Sequence, residues 1–201
     1  RRCLVALLCV ACIALQARER EVDRTSGLRQ EVFDKMQVIQ ELADGEQLGE
    51  AETLLRKLLD TKLSDYEKAQ SWFLMGYIRY QKEDMDGALA AYEQVMATED
   101  IPLGMRLNVM RTLSQLHMVS EDYDNALKYV DMLIENSLEP SADNHILKAQ
   151  ILYQMERMDD SMAELEAGIR INAEKGQPPR ENWLLLKNAI LYNRNDYRGM
   201  L

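Results

Sequence analysis

The sequence predicts an all-α protein, a right-handed superhelical solenoid of antiparallel helix pairs. Three observations predict it. The 201-residue chain is 47% hydrophobic and 29% charged with only nine glycines and four prolines, a globular composition weighted towards strong helix formers. Pro102, Pro140 and Pro178 fall 38 residues apart, and proline, lacking an amide donor, marks helix boundaries. Between the prolines a second motif recurs as EDMDGAL from Glu83, EDYDNAL from Glu121, ERMDDSM from Glu156 and NRNDYRGML from Asn193, with a weaker copy, ADGEQLGEAETLL, from Ala43. Each copy separates two amphipathic stretches. Its aspartates suit the amino end of the following helix, where a carboxylate caps orphan amides. A helix–turn–helix unit repeated every ~35–39 residues buries its apolar face only by stacking on its neighbours.

In chain order, RRCLVALLCVACIALQA places two arginines before an apolar run, Leu4 to Leu15, and ends on the small residue Ala17. This reads as a signal peptide over residues 1–17. The run is shorter than the ~20 residues that span a bilayer. Cys3, Cys9 and Cys12 all lie within residues 1–17, so a chain cleaved after Ala17 carries no cysteine. Export without disulfides fits a bacterial periplasm; lipid attachment at Cys12 is the alternative. Residues 18–31 form a polar lead-in without apolar periodicity. Residues 32–201 hold about five helix pairs, starting near 32, 69, 107, 142 and 181. The last is expected to be cut short in its second helix, leaving the apolar face of the Trp183 helix poorly covered.

The best copy is SWFLMGYIRYQKEDMDGALAAYEQV. Trp72, Met75, Gly76, Ala88 and Tyr92 match the pattern W-x2-L-G-x2-Y…A-x3-F, and the unit resembles the tetratricopeptide repeat. Arg79 departs from the pattern where Tyr is usual. Small residues at Gly76 and Ala88 let two helices approach, while Trp72, Tyr92 and Val95 fill the space between repeats. The same frame places Ile39, Leu42, Ala51, Leu55 and Leu58 in the first pair. It places Leu113, Ser114, Ala126 and Leu133 in the third, Ala149, Leu152, Ser161 and Leu165 in the fourth, and Asn188, Leu191, Tyr197 and Met200 in the fifth.

No catalytic constellation, phosphate loop or metal motif occurs after residue 17, so no cofactor, metal or small-molecule substrate is expected, and the reading is non-enzymatic. The net charge of −10 repels nucleic-acid phosphates. His117 and His145 read as packed, hydrogen-bonded side chains. Asp84–Gly87, DMDG, reads as a helix cap, because a calcium loop would need an acid where Val95 stands. The first helices of such repeats line an inner face. Counting the frame puts Phe73, Tyr77 and Tyr80 there, then Arg111, Gln115 and Met118, then Ile146, Gln150 and Tyr153, then Leu185 and Tyr192. Aromatics with Arg and Gln make a strip suited to protein or peptide segments. Only Arg111 could serve a basic clamp for a terminal carboxylate.

A closer resemblance rests on EKGQPPRENWLLL, Glu174 to Leu186, supported by TLSQLH, EDYDNAL and ILKAQILYQ. These stretches resemble the periplasmic tetratricopeptide proteins found with TonB energy-transduction systems of Gram-negative bacteria. The turn NRNDY departs from that family. The resemblance implies a periplasmic scaffold accessory to TonB, ExbB and ExbD and to outer-membrane uptake. An adaptor in envelope or outer-membrane protein assembly is the alternative.

Overall fold

A computed structural model describes residues 27–196. The expected signal peptide, Cys12, most of the lead-in, Tyr197 and Met200 lie outside the described residues. Within them the regular structure is helical throughout. The elements are α1 (Gln30–Asp44), α2 (Leu48–Leu59), α3 (Asp65–Gln81), α4 (Met85–Met96), α5 (Leu103–Val119), α6 (Tyr123–Asn136), α7 (Ala142–Gln154), α8 (Met158–Glu174) and α9 (Glu181–Asn193). This is an all-α helical repeat fold. Two compact units divide it, the first ending at Arg106 and the second beginning at Leu107, so α5 contributes to both.

The recurrent motif is a helix stop followed at once by a helix start. After α3, the Glu83 amide donates to the Tyr80 carbonyl and the Asp84 amide to the Arg79 carbonyl, each at 2.9 Å, a Schellman closure. Its central residue must be left-handed. Glu46, Glu83, Glu121, Glu156 and Asn195 all have φ between 57° and 61°, one at each such turn. Asp84 then turns its carboxylate forward and accepts from the Gly87 amide at 3.0 Å; Asp122 accepts from the Asn125 amide at 3.3 Å. Each aspartate thus closes one helix with its amide and caps the next with its side chain. The third copy corrects the expectation of a capping aspartate. The residue at that position is Arg157, and α8 begins without a side-chain cap. The Arg157 guanidinium bonds Asp160 instead, at 2.8 Å.

In the first unit, Ile39, Leu55, Met75 and Ile78 build the core where α1, α2 and α3 meet. Close approach of α3 and α4 depends on Gly76, since a Cβ there would stand 2.7 Å from the Tyr92 ring. The second unit solves the same contact with one serine per pair. Ser114 on α5 donates to the Ala126 carbonyl at 2.9 Å, and Ser161 on α8 donates to the Ala149 carbonyl at 2.7 Å. The hydroxyl changes sides between pairs, which is why Ser161 stands where alanine is usual. Trp183 is only 1% exposed, packed with Ile146, Ala149, Leu165 and Ile190. α9 seats Trp183, Ile190 and Leu191 on α7 and α8 and leaves Leu184, Leu185 and Tyr192 exposed, so the Trp183 ring is covered while part of the helix's apolar surface is not, as expected.

Candidate functional site: an aromatic groove between first helices

α3 starts at a capping box. Ser64 accepts from the Glu67 amide at 3.2 Å, and the Glu67 carboxylate accepts from the Ser64 amide at 2.9 Å. The same carboxylate accepts from the Arg29 amide and guanidinium at 2.8–2.9 Å. The Arg29 hydrogen bonds hold its pKa down at about 2 despite burial. Arg29 is the N-cap residue of α1, so this cluster ties the amino ends of α1 and α3 together.

Between α1 and α3 runs a groove of about 670 Å³. Phe33, Met36, Gln37, Gln40 and Glu41 line it from α1, and Gln70, Phe73, Leu74 and Tyr77 from α3. Both sets follow the three-and-four spacing of one helical face. Tyr92 of α4 supports the floor. Its ring meets Phe73 edge-on, with centroids 5.4 Å apart, and rests on Gly76. Burial, with Tyr77 a lesser cause, pushes the Tyr92 phenol up to about 12, so it stays neutral. The Tyr77 hydroxyl accepts from Gln81 Nε2 at 3.0 Å. Glu41 is the one charged residue in the lining, and it accepts from Gln37 at 3.3 Å. The chemistry on offer is an apolar, aromatic floor with amide groups along the walls and a single carboxylate.

Two of the expected inner-face residues, Phe73 and Tyr77, come together in this groove. Tyr80, also of the first unit, is 48% exposed and outside its lining. In the second unit Arg111 donates to the buried Asn144 at 2.8 Å, which in turn donates to Ser137 at 3.3 Å. That guanidinium is committed to the fold. The Tyr153 hydroxyl accepts from Asn193 at 3.0 Å, binding α7 to the end of α9. Gln150 and Met118 are half-buried, Gln115 exposed, and Leu185 and Tyr192 exposed at 62% and 61%. Ile146 corrects the inner-face expectation: it is a core residue, and a Cβ at Gly168 would stand 2.9 Å from its Cδ1. Sequence reasoning missed Phe33, Gln37 and Glu41, because its frame counted the face from Ala69 onward. The signal was present in α1, where Phe33, Gln37 and Glu41 repeat every four residues away from buried Val32, Ile39 and Ala43.

Both histidines are structural partners. His117 Nδ1 lies 3.0 Å from the capping Asp122, and its ring stacks on Tyr129 at 5.6 Å. His145 Nδ1 lies 2.7 Å from Glu164, which also pairs with Lys148.

Models of the tetratricopeptide repeat match residues 39–100 and 142–175. Solved structures agree on the fold. MamA, residues 41 to the end, from Desulfovibrio magneticus superposes with a TM-score of 0.69 at 10% identity, covering 87% of this chain and 91% of that one. A tetratricopeptide repeat protein from Parabacteroides merdae gives 0.70 at 13% identity, over 86% of this chain and 63% of that one. A putative kinesin light chain with nearly identical TPR-like repeats, from Podosopora anserina, gives 0.65 at 14% identity, over 85% and 90%. At such identities the likeness concerns the fold alone. No curated protein matches the sequence. The matched stretches, residues 39–100 and 142–175, are of the tetratricopeptide type, and such repeats suggest a protein–protein interaction scaffold.

Proposed function

We propose that this chain is a periplasmic scaffold that holds a segment of a partner protein and serves TonB-dependent energy transduction at the outer membrane. The observation that carries the scaffold reading is the α1–α3 groove, a pre-formed aromatic face on rigid helices. Ordering such a face costs little entropy on binding, so its contacts go into affinity. The TonB reading is supported by the resemblance over Glu174–Leu186. In this fold that stretch is a turn and a helix start. Asn172 donates to the Pro178 carbonyl at 2.7 Å, Gly176 takes φ +71°, and the Arg180 guanidinium lies 4.9 Å over buried Trp183. These residues set the joint between α8 and α9.

A photo-crosslinker at Tyr77 of the exported protein tests both levels. Capture of TonB, ExbB or ExbD, lost in Phe73→Ala, is the expected outcome. Capture of outer-membrane assembly proteins instead moves the function to the adaptor reading. Capture that Phe73→Ala leaves unchanged removes the groove from the account. Fractionation of cells carrying Cys12→Ser separates a cleaved periplasmic form, which that change leaves released, from a lipid-anchored one, which it frees from the membrane.

A further inference from the structure

The charge around the groove selects a partner chemistry. Residues 27–106 carry sixteen Asp and Glu against nine Lys and Arg. Most of those cations are already committed: Arg29 to Glu67, Lys35 to Glu31, and Arg56, Arg79 and Lys82 to Glu52. The groove lining itself holds no Lys or Arg, and its one ion, Glu41, makes no ion pair among the described residues. An anionic segment would lose hydration there and meet no counter-charge. A cationic one would meet Glu41 and the faces of Phe33 and Tyr77, which also attract cations.

Resting on the scaffold reading above, we propose that the α1–α3 groove takes a cationic amphipathic segment of a partner protein, with a large apolar side chain against Phe33, Phe73 and Tyr77 and a Lys or Arg at Glu41. Amides of Gln37, Gln40 and Gln70 are placed along the walls to meet its polar backbone or side chains.

Two synthetic peptides of about 16 residues test it against the whole chain, sharing the same Leu and Phe positions and differing only in Lys or Glu at the polar ones. Binding is read by fluorescence anisotropy at about 50 mM and about 300 mM salt. The lysine peptide is expected to bind at least about tenfold tighter at the lower salt. Tyr77→Ala should weaken it about tenfold or more, and Glu41→Lys, on an exposed position that leaves the fold intact, should bring the two peptides within about threefold. If both peptides bind alike and Tyr77→Ala releases both, the groove remains a peptide site and the charge selection is wrong. Lysine-peptide binding that ignores both variants means a diffuse attraction to the acidic surface and overturns the proposal. If neither peptide binds, the groove reading falls with it.

Discussion

At the scale of single residues, the sharpest constraint is the space beside Gly76. A methyl group there would press on three atoms of the Tyr92 ring, 2.7–2.9 Å away. That ring is buried and already set edge-on against Phe73. Gly76→Ala is therefore expected to cost about 1–3 kcal/mol in urea denaturation, the range for overpacked cores. Gly104, in the first turn of α5, has nothing within 4 Å of its would-be Cβ. Gly104→Ala should instead gain about 0.5 kcal/mol by restricting the unfolded chain. Two glycines in helices thus have opposite predicted signs, decided by what stands beside them. The serines show the same logic. Ser114→Ala removes a buried hydroxyl that donates to Ala126, at a loss of about 1 kcal/mol. Adding Ala126→Ser, which copies the arrangement of Ala149 and Ser161, should recover most of it.

At the scale of the element, each pair depends on its turn. Asp84 and Asp122 both close one helix and cap the next, so Asp84→Ala or Asp122→Ala should cost about 1 kcal/mol each by thermal or chemical denaturation. The Asp122 change also takes away the partner of His117 and is expected to be the larger. α8 lacks a side-chain cap. Arg157→Asn supplies one at the loss of an exposed ion pair with Asp160, which is worth little, and a net gain of about 0.5 kcal/mol is expected. The left-handed residue is glutamate at four of the five turns. Glutamate adopts that conformation at a cost that the two Schellman hydrogen bonds and the paired helices must outweigh.

At the scale of the whole molecule, the described carboxylates set how the protein meets acid. Glu52 is held at about 2, chiefly by the Lys82 ammonium and then Arg56, against the opposing effect of burial; Glu67 is held at about 2 by Arg29. Asp122, bonded by Asn125, is lowered too, and Glu164 is lowered by His145 and Lys148 against its burial. A folded value below the unfolded one means that the stabilisation is complete above the ordinary carboxylate range, about 4.3, and is lost as pH falls towards 2. Stability should be level from neutral pH to about 5 and decline below it. Each unit has its own reporter, Trp72 in the first and Trp183 in the second. The Trp72 indole N–H makes no hydrogen bond among the described residues, so Trp72→Phe isolates the second unit by fluorescence. Glu67→Gln should flatten the acid decline of the first unit alone; a decline of both units unchanged by it would assign acid sensitivity elsewhere.

The sequence by itself determined the fold class, because period, proline spacing and the turn motif are properties of the chain read locally. It also determined which small residues stand at the helix crossings and that an aspartate caps α4 and α6, but not that α8 goes without one. It could not say which side of a first helix stays open, since a three-and-four stripe of aromatics reads alike as core or as groove. Only the packing of α1 on α3 decided that Phe73 and Tyr77 share a surface with Phe33 and Glu41, 32 to 44 residues away in the chain. Packing also turned Ile146 into core and Arg111 into the partner of a buried asparagine. The reason is physical: helical periodicity tells which residues point the same way, but the neighbour that arrives from elsewhere in the chain decides whether they are covered.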